Sequence, residues 1–389
     1  MVQKVAIVIE RFDTSLGGAE RSVGELADAL EVAGCDTHIL AAKGHAQLQN
    51  VHILCGDIAG KRTDLLLFAG ALKKHIAENH YDIIHSVLPF DFADVYQPRG
   101  GTYAEAIERN AVSFNNKFIE TWKKTTGFMN FRRHTLLKAE KALCGLKDGP
   151  AVIAISNYVA EQFKRHYGID ESRITVIPNG VDTKAFIEAD GRQTREQILA
   201  RLNIGEAPKP VLFLFAANNF RLKGLACLLK AFKSASAGGA YLIVVGSDNT
   251  APYQRLAANL NIADKVLFLG SVGDIGNLLA AADVAVLPTF YDPGSRFILE
   301  ALALGKPVIT TRFNGASEQF IDNRHGKVID SPDNIAALAG ALTHFTDSAN
   351  IQNASQAILQ DNIRQRVSIS RVAGQLREFY DSLMRKRNR

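Results

Sequence analysis

Short apolar runs alternate with helix-like segments along the whole chain. Val5–Ile9, Thr37–Ala41, Asp82–Ser86, Ala151–Ile155 and Thr175–Ile177 are runs of the length and character of strands buried on both faces. Between the first two, residues 20–33 carry a helical pattern that stops at Gly34, a residue that commonly ends helices. Ile177-Pro178-Asn179-Gly180-Val181-Asp182 reads as a turn, and a polar stretch follows to Pro210. A second series then begins. Val211–Ala216, Tyr241–Gly246, Val266–Leu269, Val284–Pro288 and Val308–Thr311 are its strands, and 224–232 and part of 294–305 are helical. From Asn334 the pattern is helical and ends in a basic tail. This alternation predicts an α/β protein with two parallel domains in series. In such sheets ligands sit at the C-terminal ends of the strands, and two domains facing across a cleft suit an enzyme with two substrates.

Composition narrows the class without changing it. The 389 residues are 47% hydrophobic and 22% charged, with 30 Gly and 11 Pro, which excludes disordered, collagen-like and disulfide-scaffold chains. No apolar run approaches the ~20 residues of a membrane span; the longest, 65–72, meets Lys73 and Lys74 at once. The first apolar run is too short for a signal segment and leads into Glu10 and Arg11, so a cytoplasmic protein is expected. Cys35, Cys55, Cys144 and Cys227 fit no metal or redox spacing and read as reduced, buried, small apolar residues. No G-x-G-x-x-G follows the first strand of either half, and no G-x-x-x-x-G-K-[ST] occurs, which disfavours nicotinamide dehydrogenases and P-loop ATPases.

The net charge of +5 matters less than its distribution. Residues 109–147 hold nine Lys and Arg, among them Lys123, Lys124, Arg132 and Arg133, against Glu120 and Glu140 alone. Trp122 and four phenylalanines lie in the same stretch. Cations mixed with aromatics suit an anionic membrane surface. They also suit single-stranded nucleic acid, or a solvated amphipathic helix whose aromatics sit in a core. We expect the membrane surface and no nucleic acid.

Three motifs carry candidate chemistry. Leu16-Gly17-Gly18-Ala19-Glu20-Arg21 places two glycines at a helix start, where backbone amides and the helix dipole can receive an anion; a tight turn accounts for them equally well. Asn219-Phe220-Arg221-Leu222-Lys223-Gly224 puts two cations at a strand-to-helix turn, an arrangement that suits a diphosphate or is a pair of surface charges. Asp292-Pro293-Gly294-Ser295-Arg296 leads into a helix carrying Glu300 before an apolar run. An acid there is costly to bury without partners, and sugar hydroxyls would be suitable ones; a capping Asp and an exposed Glu is the alternative.

In this order the motifs resemble the retaining glycosyltransferases of the GT-B fold, in the group 1 family (family 4), over nearly the whole chain. The Ile177–Asp182 linker, Gly305-Lys306-Pro307-Val308 and Asn314-Gly315 with Glu318 fall in the same order. The resemblance implies an N-terminal acceptor-binding domain over 1–182, rejoined by a C-terminal helix 368–389, and a nucleotide-sugar-binding domain over 183–367. It implies that Gly17 and Gly18 contact the donor side of the cleft. Arg221 and Lys223 would bind the nucleotide diphosphate, Glu300 the ribose hydroxyls and Asp292 the donor sugar. Asp292 stands where Glu is usual, Ser295 where Gly is usual and Arg296 where an apolar residue is usual, so both Ser295 and Arg296 are expected at the sugar. The basic segment and Arg99–Glu105 look most like lipopolysaccharide core glucosyltransferases. That resemblance implies transfer of a hexose, glucose above others, from a UDP-sugar to a lipid-linked or glycan acceptor, by an enzyme peripheral on the inner face of the cytoplasmic membrane. A nucleotide-sugar 2-epimerase and a non-catalytic nucleotide-sugar binder are the alternatives. No D-x-D occurs in the chain, so no metal and no cofactor are expected, and Arg221, Lys223 and helix N-termini would stabilise the leaving diphosphate. His85, closing the strand Asp82–Ser86, is either a sugar contact or a structural histidine.

Overall fold

The computed structural model describes residues 2–13, 18–44, 49–56, 63–114, 131–186, 189–205, 210–273 and 275–387. Described residues within Met1–Glu105, Phe128–Gly180 and Ile369–Arg389 form one compact unit; those within Ala106–Gly127 and Val181–Ser368 form the other.

The first unit holds seven strands: β1 (Gln3–Phe12), β2 (Cys35–Gly44), β3 (Val51–Ile53), β4 (Ile83–Ser86), β5 (Val95–Tyr96), β6 (Ala151–Ala154) and β7 (Ile174–Val176). They pair in parallel in the order β3-β2-β1-β4-β5-β6-β7. The continuous apolar run of β1 follows from helices on both faces. Val5, Ile7 and Ile9 pack with Val23 and Leu26 of the helix Gly18–Val32 and with Leu376 and Tyr380 of the C-terminal helix Ile369–Arg387. Ala6 and Val8 face the other way, toward Phe68 and Leu72 of the helix Leu65–Glu78. No apolar run predicts β3 or β5. They span three and two residues, too few for such a run, yet Val95 and Tyr96 of β5 are fully buried between β4 and β6.

The second unit holds β8 (Val211–Ala216), β9 (Ala240–Val245), β10 (Val266–Gly270), β11 (Val284–Leu287), β12 (Val308–Thr311) and β13 (Gly326–Ile329), again all parallel, in the order β10-β9-β8-β11-β12-β13. The edge strand β13 escapes pattern reading because it opens with Gly326-Lys327 and offers only two apolar residues. In each sheet the first strand lies between the second and a later one, so the crossovers diverge at β1 and at β8; ligands favour the crevice that opens at the C-terminal ends of such strands.

The chain leaves the first unit after Gly180 and returns at Ile369. A Cβ at Gly180 would stand 2.7 Å from the Ile369 Cα, so only glycine lets the two backbone segments lie this close. One stretch departs from the expected division at 182: the described residues within Ala106–Gly127 group with the second unit. The guanidinium of Arg109 lies 3.7 Å over the Phe313 ring, and Arg221 donates to the Asn110 carbonyl. Among the described residues no helix is long and apolar enough to cross a membrane. The cysteines are free, but Cys55 is only half-buried, unlike the other three.

Candidate active site

The loops that follow β8, β11 and β12 meet at the C-terminal end of the second unit's sheet. After β8 the chain turns at Gly224, which has φ 78° and caps the helix Leu225–Ser236. A Cβ there would lie 2.0 Å from the Pro288 carbonyl oxygen, so the absence of a side chain lets this turn press against the loop after β11. The backbone seals the contact: Phe290 N donates to Leu222 O at 2.9 Å, and Thr289 Oγ1 donates to the same carbonyl at 3.2 Å.

This close approach delivers Lys223 to the next loop. Its ammonium donates to Asp292 Oδ2 at 2.7 Å and to the Tyr291 carbonyl at 2.9 Å, with both side chains mostly buried. Asp292 is held by its backbone to the loop after β12, donating to Phe313 O and accepting from Gly315 N, both at 2.9 Å. Its other carboxylate oxygen accepts from Gly294 N at 3.2 Å. Ser295, not Asp292, caps the helix Arg296–Ala303, with Oγ accepting from Ile298 N. Glu300 is buried rather than exposed, and its Oε1 accepts from Arg296 Nη2 at 3.2 Å, one turn earlier on the same helix. The two expected carboxylates therefore bracket one buried helix start, each with a cation, and neither the capping-Asp nor the exposed-Glu alternative describes them.

Asn314 is the residue that motif reading leaves without a role. It is fully buried. Its Oδ1 accepts from Ser295 N at 3.2 Å and Ala316 N at 3.1 Å, while Nδ2 donates to Thr310 Oγ1 at 2.9 Å. Thr310 in turn donates to Leu287 O at 2.8 Å. One amide thus ties β11, β12 and the carboxylate helix together. An Asn-Gly pair after a strand is the available signal, and it reads first as a turn.

The other expected site residues are spread out. The two donors of the 219–224 turn diverge: Arg221 donates to the Asn110 carbonyl at 3.0 Å and to Ser113 Oγ, and stacks 3.7 Å over Phe114. Burial, foremost, pulls its pKa down. In the first unit, His85 is buried and shares a hydrogen bond of 2.5 Å between Nδ1 and the Tyr380 hydroxyl. Burial first, then the charge of Arg99, pushes its pKa down to about 3, against a raising hydrogen bond from Gln97. His85 is thus a buried, neutral ring over which the C-terminal helix closes. Gly18 starts the helix Gly18–Val32 and is exposed. Arg132 pairs with Glu10 and donates to Thr63 O at 2.9 Å, and Arg133 is half-buried. Gly17, Trp122, Lys123 and Lys124 lie outside the described residues.

Residues 16–185 match the family model described as Glycosyltransferase Family 4, and residues 197–366 match the one described as Glycosyl transferases group 1. The chain belongs to the group 1 glycosyltransferases. This glycosyltransferase is 29% identical over 243 residues to D-inositol 3-phosphate glycosyltransferase 2 of Catenulispora acidiphila, an alignment covering 54% of this chain and 56% of that protein. It is 23% identical over 264 residues to the lipopolysaccharide glucosyltransferase WaaG of Escherichia coli K12, covering 67% of each. Its fold is that of the Anabaena protein HepE solved in complex with UDP-glucose, with a TM-score of 0.72 at 19% identity over 97% of this chain and 99% of that one. The two parallel α/β units are those of the GT-B glycosyltransferases.

Proposed function

We propose that this glycosyltransferase moves a hexose, glucose above others, from a UDP-sugar to a membrane-anchored glycan or lipid such as lipopolysaccharide core, with retention at the anomeric carbon. The observation that carries the reading is the Lys223–Asp292 pair at the strand ends. An ammonium has three donors. The two hydrogen bonds of Lys223 leave a third N–H for a diphosphate oxygen. That N–H stabilises the negative charge that grows on the departing diphosphate. The carboxylate beside it accepts from the hydroxyls of the donor sugar, and Glu300, steadied by Arg296, accepts from the ribose. Arg221, on the same turn and held by Asn110 and Ser113, is the second cation for the diphosphate. Retention follows from attack on the face the diphosphate leaves, with a phosphate oxygen taking the acceptor's proton and no protein nucleophile. The names of the relatives support this reading through glucosyl transfer onto lipopolysaccharide in one case and UDP-glucose binding in another.

The test is product analysis with a panel of nucleotide sugars, with and without lipopolysaccharide core acceptors. Free UDP that accumulates only with acceptor supports transfer. An isomerised nucleotide sugar formed from donor alone points to the 2-epimerase, and binding without turnover on any acceptor points to a non-catalytic binder.

A further inference from the structure

Two adjacent leucines open the helix Leu65–Glu78 on its solvent side: Leu66 is 80% exposed and Leu67 50% exposed. Among the described residues no other two neighbouring large apolar side chains stand out this far. The first turn is not frayed. Asp64 caps it, its side chain accepting from Leu66 N at 2.9 Å and Leu67 N at 3.1 Å, so the leucines are presented by a fixed backbone. The helix already buries its core face through Phe68 and Leu72. Leu66 and Leu67 are therefore surplus to the fold.

Their surroundings are cationic. Lys73 and Lys74, seven residues on and so on the same side of the helix, are both exposed. The basic helix Phe131–Gly145 packs alongside, with Leu136 in the same apolar cluster as Phe68 and Leu72. Its Arg132 donates to the carbonyl of Thr63, directly before the cap, and its Lys138 and Lys141 are exposed. The acids on the helix and its cap are Asp64, occupied in capping, and Glu78 at the far end. An apolar tip backed by lysines is the composition of a helix at a bilayer interface, where lysine stems lie along the apolar layer and the ammonium groups reach anionic headgroups.

We propose that Leu66 and Leu67 enter the interface of an anionic lipid bilayer, with Lys73, Lys74, Lys138 and Lys141 on the headgroups around them. The proposal rests on the membrane-anchored acceptor proposed above, and it names the apolar contact that charge alone does not supply. Charge attraction is screened at near-physiological salt beyond ~8 Å, whereas apolar insertion is not. Binding by tip and cations together therefore survives salt in part.

Co-sedimentation with phosphatidylglycerol/phosphatidylcholine vesicles and with phosphatidylcholine alone, at low and high salt, tests this on the full chain. Wild type is expected to favour the anionic vesicles and to keep part of its binding at high salt. Leu66→Ser with Leu67→Ser is expected to lower the partition coefficient by about tenfold or more and to abolish the salt-resistant part. The variant's circular dichroism and UDP affinity check its folding. Independently, the emission of a Leu66→Trp variant should shift to the blue on anionic vesicles and be quenched by brominated lipid. Wild type indifferent to anionic vesicles overturns the membrane reading and the tip with it. Wild type that binds while the double Ser variant binds equally, or an indole that stays unquenched in the Leu66→Trp variant, overturns the tip and leaves the membrane reading standing. A concentration-dependent dimer in sedimentation velocity that the Ser pair abolishes would assign the leucines to a second copy of the chain instead.

Discussion

The Lys223 ammonium donates to the Asp292 carboxylate across 2.7 Å, although 69 positions separate the two residues. Two features make the contact possible: Gly224, which lets the first loop touch Pro288, and the backbone ties of Asp292 to Phe313 and Gly315. The pair joins the group we assign to the leaving diphosphate to the group we assign to the sugar. It therefore makes their separate removal informative.

Lys223→Ala should weaken binding of free UDP by about 10- to 100-fold, the range expected for one charge-assisted phosphate contact of ~1.5–3 kcal/mol. Asp292→Asn should leave UDP affinity nearly intact and lower turnover of the UDP-sugar, because its assigned partner is the sugar. Calorimetry with UDP separates the two, and an unchanged UDP affinity in the Lys223 variant removes that residue from the diphosphate.

Turnover should persist in excess EDTA. The chain has no D-x-D on which a divalent ion could sit beside the diphosphate, and Lys223 offers a fixed positive charge in its place. Loss of activity on chelation, restored by Mg²⁺ or Mn²⁺, would contradict this.

Gly224→Ala should destabilise the protein by about 2 kcal/mol or more, since a left-handed backbone and a blocked approach to Pro288 act together. Denaturant titration measures it. An alanine variant of wild-type stability would mean that the loops after β8 and β11 can part without cost.

Stability should fall as the medium is acidified below about pH 6.5. His85 has a folded pKa near 3, lowered mainly by burial, so the unfolded chain takes up a proton that the folded one refuses. Its contribution is fully present above the unfolded value of 6.5 and is lost between there and about 3. His52 and His75 act in the same direction, their pKa values lowered first by burial; among the charged neighbours, Lys4 lowers both and Glu78 opposes the shift of His75. Denaturation midpoints from pH 7.5 to pH 5 should show the slope, and His85→Gln should flatten it. An unaltered slope in that variant would assign the effect to other groups.

Asn314→Ala should lower turnover although Asn314 itself is assigned no substrate contact. It leaves the Ser295 amide and the Thr310 hydroxyl without their shared partner in a fully buried place, a loss of about 1–3 kcal/mol. The helix start that carries Arg296 and Glu300 then loosens. A KM for UDP-sugar that rises with the fall in turnover, together with partial recovery in Asn314→Asp, marks positioning rather than general instability. Wild-type kinetics would remove Asn314 from that role.

The sequence by itself determined the two parallel α/β units, the strands with long apolar runs and the order of the motifs. A strand buried on both faces must be apolar along its length, and a βα turn must spend glycine where the chain reverses. Val5–Ile9 and Val211–Ala216 announce themselves for that reason, whereas β5 is buried by its neighbours and needs no run of its own. The residue types at the site were legible too, because a cation at a strand end and acids around an apolar helix are unusual. Tertiary structure alone decided which of them meet. Arg221 and Lys223 are two positions apart, yet one is held by Asn110 and Ser113 and the other by Asp292. His85 lies at a strand end, yet the C-terminal helix, almost 300 residues further on, closes over it through Tyr380. Spacing along a chain sets which residues share an element, but partners across elements follow from how close two backbones can come, and at this site a single glycine hydrogen in place of a Cβ sets that distance.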